Sequence, residues 1–292
     1  MRNVGTVIKV VAAAVFWYAA YMYLTLPDVR PLARENPATT AFIERRVAEA
    51  KADGETLAPQ QRWVAYRRIS RNLVRAVLVT EDSAFWDHEG VDYEQLRESI
   101  EVNLERMEFA RGASTITQQL AKNLYLSPSK NPARKLRELM ITRRLEAELS
   151  KTRILEIYLN VIEWGDGIFG AEAASRTYFR TPAAALGPEQ SALLAAAIAN
   201  PRLMNPARPT RRLLRRQQMV LRRMGAVKPP EEAPAAAAPA APAETAPPTE
   251  PPTPTPEAPA TEPPAPEPTP TPSPGHGASP RPVDPRAQGI PA

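Results

Sequence analysis

Proline placement constrains this chain more than any other feature. Of its 34 prolines, 23 fall within residues 228–292. Proline has a fixed φ and no backbone N–H to donate, so a stretch this dense in it sustains neither helix nor sheet. The rest of that stretch is mainly Ala, Thr and Glu, with almost no large apolar side chain. It cannot bury enough surface to offset its ordering entropy, and it reads as a disordered, polyproline-rich tail. One folded domain is expected upstream.

Charge divides at the same point. The tail carries three Lys/Arg against eight Asp/Glu, a net of −5, while the whole chain is +5, leaving +10 on residues 1–227. A body that basic suits an acidic partner such as nucleic acid, anionic lipid or a phosphorylated substrate. The absence of Cys excludes a disulfide framework, a thiolate nucleophile and Cys-ligated zinc. Only His88 lies outside the tail, so a His-rich metal site is out and a Ser-His-Asp triad would depend on that one residue. Carboxylates and basic side chains are left to carry any catalysis.

Residues 10–26 are uncharged, and the apolar run extends back to Val4 if Lys9 snorkels. That is about 20 residues, enough to cross a ~30 Å hydrocarbon core as a helix. Trp17, Tyr18, Tyr21 and Tyr23 suit the distal interface, and Arg2 and Lys9 favour a cytoplasmic start. A cleaved signal peptide would have a shorter apolar region, and no uncrowded small-x-small site precedes Pro27. The expectation is an uncleaved anchor, with everything from Asp28 onward outside the cytoplasm, so nucleic acid is not the acidic partner.

Residues 36–227 read as helical throughout, with no alternating strand run. Ser70 is a candidate N-cap ahead of Leu73, Val74, Val77 and Leu78, which lie at helical spacing. Further helices are expected over 92–107, 114–126, 133–149, 152–159, 188–199 and 210–224. Gly165, Gly167 and Gly170 mark a loop. Glu81–Gly90 and Arg111–Thr117 break the periodicity, and loops on a helical scaffold are where catalytic residues concentrate.

Three constellations carry candidate chemistry. In Glu81-Asp82-Ser83-Ala84-Phe85-Trp86-Asp87-His88-Glu89-Gly90, Glu81 falls at a helix C-terminus, where the dipole disfavours negative charge and raises a carboxyl pKa. Such a carboxylate is a reasonable general base. Read without function, the same loop has Asp82 as a helix cap, Phe85 and Trp86 as core, and His88 as a strut. In Gly112 to Asn123, Ser114 is placed to cap a helix, which is either an ordinary amphipathic helix with a polar surface or one that brings Gln118, Gln119 and Lys122 together as hydroxyl or phosphate binders. In Lys130 to Glu138, the pairs Arg134/Glu138 and Lys135/Glu138 make either a solvated ion-pair face or a carboxylate inside a cationic patch suited to a diphosphate. Ser127-Pro128-Ser129-Lys130 matches Ser-x-x-Lys, but neither partner motif of the penicillin-binding transpeptidases occurs in the chain.

Together these blocks resemble glycosyltransferase family 51, the peptidoglycan-polymerising domain shared by class A penicillin-binding proteins and monofunctional transglycosylases. The resemblance covers about residues 62–225. It runs in order through Glu-Asp-x-x-Phe-x-x-His-x-Gly (Glu81 to Gly90), Gly-x-Ser-Thr-Ile-Thr-Gln-Gln-Leu-x-Lys-Asn (Gly112 to Asn123), Arg-Lys-x-x-Glu (Arg134 to Glu138) and Lys-x-x-Ile-Leu-Glu-x-Tyr-Leu-Asn (Lys151 to Asn160). No transpeptidase domain follows.

The resemblance implies a mainly α-helical, lysozyme-like glycosyltransferase domain over 62–227. Before it come a transmembrane anchor (1–27) and a membrane-proximal jaw or linker (28–61). The Pro-rich tail (228–292) follows. It implies a substrate, lipid II, whose diphosphate leaves as a β-1,4 bond forms with inversion. By motif position Glu81 would be the general base and Glu138 the second carboxylate. Lys122, Lys130 and Arg137 would hold the phosphates beside Gln118 and Gln119, and Ser114 and Thr115 would shape the donor site. No cofactor is obligatory; a divalent cation, Mg2+ or Mn2+, is an optional companion of Glu138. Implied partners are lipid II, the nascent glycan strand and membrane lipid, with cell-wall synthesis or division proteins as further candidates. The implied location is the cytoplasmic (inner) membrane with a periplasmic domain. The rivals are a glycan-cleaving lytic transglycosylase or muramidase, which has no diphosphate to bind, and an inactive cell-wall scaffold.

Overall fold

The computed structural model describes residues 2–106, 114–127 and 131–225. Lys130 and the Pro-rich tail fall outside the described residues. The helix α1 spans Arg2–Leu24, and its stretch Val4–Leu24 is long and apolar enough to cross a membrane. Its side chains are exposed along almost its whole length; near its end, Met22 and Leu26 are buried.

The segment after it builds more structure than a linker. A 3-10 turn at Arg30–Ala33 buries Leu32, and α2 (Ala41–Ala52) starts at Thr40, whose hydroxyl accepts from the Ile43 amide at 3.1 Å. Only Ile43 and Arg46 of α2 are buried, which is why no apolar periodicity announces it. Arg46 donates to Glu163 at 3.1 Å and to Asp166, and Phe42 meets Phe169 edge-on, so α2 is fastened to the body by a buried ion pair and a ring contact.

The body is mainly α-helical, as the sequence predicts. α3 (Arg71–Glu81) is capped by Ser70, which accepts from the Asn72 amide at 3.2 Å, and it buries Leu73, Val74, Ala76, Val77 and Leu78. α4 spans Tyr93–Arg106, α5 Ile116–Tyr125, α6 Pro132–Glu148 and α7 Lys151–Val161. α8 (Ala171–Phe179), α9 (Pro188–Ala197) and α10 (Arg211–Met224) complete it. One core unites all of these but α4: α3 packs on α9 and α10, and α5 packs on α6 and α7.

The small sheet and α8 also depart from the sequence reading. The Gly165–Gly170 region is not a plain loop: β2 (Glu163–Gly165) and β3 (Ile168–Phe169) form an antiparallel pair, and β1 (Gln60–Gln61) joins β3 in parallel. Strands of two or three residues are too short to show alternation. α8 escaped notice because its buried face is Ala171, Ala173, Ala174 and Ser175, small residues that give no apolar stripe. Its start requires Gly170, whose φ is +83° and where a Cβ would lie 2.7 Å from the Asn160 carbonyl oxygen. Asn160 itself is buried, accepting from the Val64 amide at 2.9 Å and donating to the Val64 carbonyl at 2.9 Å. It ties α7 to the chain leading into α3.

Candidate active site

The site forms where the C-terminus of α3 meets α5, with α6, α7 and α10 around it. Glu81 is the last residue of α3, as its spacing predicts. The next residue, Asp82, leaves helical geometry and turns its carboxylate inward, where it is 2% exposed. One of its oxygens accepts from the Ile116 amide at 2.9 Å, so Asp82 caps α5 across the fold rather than capping the helix after it. It also accepts from His88 Nε2 at 3.0 Å, while His88 Nδ1 accepts from the Gly90 amide at 3.1 Å. With Nδ1 accepting from Gly90 and Nε2 facing Asp82, His88 braces the loop against the Asp82 carboxylate.

The rest of the first motif is scaffold. Phe85 is fully buried, with the Lys151 ammonium 4.6 Å from its ring centroid. Lys151 also donates to Glu146 at 2.8 Å, and Glu146 accepts from the Thr117 hydroxyl at 2.6 Å. Gly90 has φ +84°, and a Cβ there would lie 2.6 Å from a Thr142 methyl. Three of the four sequence motifs therefore meet, with Thr142 and Glu146 of α6, at one packed junction that fixes the end of α3.

Thr115, not Ser114, caps α5. Its hydroxyl accepts from the Gln118 amide at 3.3 Å and donates to the Gly90 carbonyl at 2.7 Å. Gln118 closes the capping box by accepting from the Thr115 amide at 3.2 Å, and its side chain is buried there. Ser114 is exposed just ahead of the cap. Gln118 thus orients α5, and Gln119 is the glutamine that reaches Glu81.

Gln119 Nε2 donates to Glu81 at 2.9 Å, and Gln119 Oε1 accepts from the Tyr158 hydroxyl at 3.0 Å. Tyr158 is fully buried on α7, and burial first, then the nearby carboxylates, raises its pKa well above the usual value, so it remains a donor. A fixed donor on one side of the amide leaves only the NH2 group to face Glu81. Burial raises the Glu81 pKa; the Gln119 bond, Arg216 and Lys122 partly offset this, and Asp82 adds to it. The helix end places the carboxylate, but desolvation chiefly makes it basic.

Glu138, on α6, is only 3% exposed and is held by two cations, Arg134 at 2.7 Å and Lys135. Lys122 projects from α5 within electrostatic reach of both Glu138 and Glu81. Its side chain reaches solvent, but partial loss of hydration around the ammonium lowers its pKa; Glu138 and Glu81 oppose the shift, and Arg134 and Lys135 add to it. Glu81, Gln119, Lys122 and Glu138 are therefore brought together. Arg137 is not: it donates to the Thr25 hydroxyl at 2.9 Å and to the Thr25 carbonyl, at the end of α1. Sequence reasoning gave no role to Tyr158, which lies inside a motif, or to Arg216, which stands in an arginine-rich helix where nothing distinguishes it.

The donor set does not suit a divalent ion at Glu138. Each Glu138 oxygen already meets a cation, and no group of three His, Asp or Glu able to hold a metal occurs among the described residues.

Comparison with known proteins places this geometry in a family. The chain is 49% identical over 195 residues to a biosynthetic peptidoglycan transglycosylase of Nitrosomonas eutropha, covering 67% of this chain and 80% of that protein. It is 45% identical over 227 residues to one of Laribacter hongkongensis, covering 77% and 98%. A third, from Chromobacterium violaceum, is 45% identical over 222 residues, covering 76% and 97%. The transglycosylase family model matches residues 49–225, from within α2 to the end of α10, and so takes in Glu81, Gln119, Lys122 and Glu138. The chain belongs to the transglycosylase family.

Proposed function

We propose that this chain polymerises peptidoglycan glycan strands from lipid II. The growing chain passes from undecaprenyl diphosphate to the 4-hydroxyl of the GlcNAc of an incoming lipid II. The observation that carries this reading is a partly buried Glu81 whose pKa is raised, oriented by Gln119, with a cation cluster beside it. Glu81 takes the proton of the acceptor hydroxyl as the oxygen attacks C1 of the donor MurNAc. The C1–oxygen bond to diphosphate breaks from the opposite face, which inverts the α linkage to β. Lys122, with Arg134 and Lys135 held by Glu138, meets the charge that develops on the leaving diphosphate. Glu138 acts by arranging those cations. Gln118 and Thr115 hold α5, and Ser114 is exposed ahead of it at the donor side. Lys130 belongs to the same basic segment, while Arg137 serves the junction with α1.

In this reading α1 anchors the protein in the cytoplasmic membrane with its N-terminus inside and the catalytic domain in the periplasm. The anchor keeps the active site on the surface that confines the lipid substrate, which raises its effective concentration. A glycan-cleaving enzyme of similar architecture would leave the Lys122, Arg134 and Lys135 cluster without a purpose, and an inactive scaffold would not need a basic Glu81. Incubating the detergent-solubilised full chain with labelled lipid II tests the proposal. Glycan growth with release of undecaprenyl diphosphate is the expected result. Cleavage of preformed glycan, or no turnover, would overturn it.

A further inference from the structure

We propose that a groove between the end of α1 and the outer face of α6 holds one bilayer phospholipid with an anionic headgroup. The proposal rests on α1 being a membrane anchor. The groove is a cavity of about 400 Å3 lined by Tyr23, Leu26, Leu139, Met140, Arg143, Arg144 and Ala147. Its apolar wall is Leu26, Leu139, Met140 and Ala147, and its basic edge is Arg143 and Arg144.

Three observations select the occupant. The first is depth. α1 ends at Leu24, so a helix crossing over Val4–Leu24 puts Tyr23 and Leu26 at the boundary between hydrocarbon and headgroups. The groove opens at that level, with the apolar wall continuous with the exposed flank of the anchor. The second is the placement of charge. Arg144 stacks over the Tyr23 ring at 5.0 Å and donates to the Pro27 carbonyl at 3.4 Å. Arg143 is 47% exposed; it donates to the Tyr93 hydroxyl at 2.8 Å and lies 4.0 Å from Glu89. Each guanidinium has five N–H donors, so these contacts leave capacity toward the groove. The third is the sorting of acids. Among the described residues no carboxylate lines this groove; Arg144 also borders the neighbouring cavity that holds Asp28 and Glu148, but there Asp28 is bound twice by Arg30, at 2.9 and 2.8 Å.

An apolar wall and two guanidiniums side by side match an amphiphile, not a free anion. A zwitterionic head would bring its own cation against the arginines, whereas a phosphatidylglycerol head presents only its phosphate charge. The acyl chain lies on Leu139 and Met140, and the phosphate takes charge-assisted bonds from Arg143 and Arg144. Such a lipid would fix the tilt of the domain relative to the anchor, because Arg144 and the nearby Arg137 both grip the turn after α1.

The test uses the full chain in nanodiscs of phosphatidylcholine and phosphatidylglycerol in equal amounts, followed by mild detergent extraction and native mass spectrometry. The wild type should retain a single phosphatidylglycerol per chain in preference to phosphatidylcholine, and should still do so in high salt, which screens exposed pairs far more than partly buried ones. Ala147→Trp fills the groove from an exposed position without touching charge, and the double variant R143Q/R144Q removes charge without filling it. Both should lose retention several-fold, and Arg144→Lys should keep most of it. Equal retention of the two lipids, retention unchanged in Ala147→Trp and the double variant, or displacement of the bound lipid by lipid II would each overturn the proposal. Wild-type protein that fails to float with phosphatidylcholine vesicles would remove the anchor reading and this one with it. Protein that floats without enriching phosphatidylglycerol would remove this one alone.

Discussion

Glu81 and Glu138 stand close to the same lysine, yet the fold treats them in opposite ways. Glu81 sits at the end of α3 with one neutral donor, Gln119, and burial leaves its charge under-compensated. Glu138 is more deeply buried, but each of its oxygens has a cation. Burial with one neutral partner raises the proton affinity of Glu81, whereas two cationic partners make Glu138 a strut that arranges cations. Asp82, next to Glu81, spends its oxygens on His88 and the Ile116 amide.

The widest gap should appear in turnover. Glu81→Gln keeps the shape but cannot take the proton, and loss of general base catalysis is worth ~10²–10⁴ in rate. Steady-state polymerisation of labelled lipid II measures it; retention of more than about a tenth of wild-type turnover would end the role assigned to Glu81. Folding should respond differently. The raised pKa of Glu81 means that the folded state loses stability as pH rises from the ordinary glutamate range through that raised value. Glu81→Gln removes this slope and should leave thermal stability at neutral pH equal or higher.

Glu138→Gln should show the reverse pattern. Replacing the buried Glu138 carboxylate leaves the Arg134 and Lys135 contacts half-satisfied and costs ~1–3 kcal/mol, toward the lower end because both cations reach solvent. Its melting temperature should fall, visible by circular dichroism, alongside a smaller loss of turnover than in Glu81→Gln. An unchanged melting temperature would erase the distinction between the two carboxylates.

The pH profile sharpens the comparison further. Activity needs Glu81 ionised and Lys122 charged, so the acid limb should lie above the usual carboxylate range and the alkaline limb below the usual lysine range. Gln119→Leu removes a bond that lowers the Glu81 pKa, so its acid limb should move to higher pH. A limb that stays put would detach Gln119 from the base. The smallest effect is expected from Tyr158→Phe, which frees the Gln119 amide to rotate. It removes one neutral hydrogen bond, worth ~0.5–1.5 kcal/mol, and should move the limb in the same direction by less than Gln119→Leu does.

Much of this protein was legible in its sequence. α3, α6, α7 and α10 stand close to where their apolar spacing and caps put them, and Glu81 ends its helix as its position implies. Local rules suffice there, because a helix that buries one face repeats that face every three to four residues. The choice of Ser114 over Thr115 as the cap is a one-residue error of the kind local rules make, since both side chains are competent and only contact with the Gly90 carbonyl selects Thr115. α2, α8 and the small sheet were not legible, because their stability comes from partners distant in sequence, Arg46 with Glu163 and β1 with β3.

The sequence by itself determined the helical body, the apolar N-terminal segment, the exclusion of thiol and histidine-metal chemistry, and which carboxylates to watch. Only the tertiary structure decided what each does. It turned Asp82 and Gln118 into caps, gave Gln119 its orientation through Tyr158, and drew Arg137 to the turn after α1. Residue type and spacing fix which groups are available, but a group's proton affinity depends on water excluded and charges brought near, and both come from elements that meet only when the chain has folded.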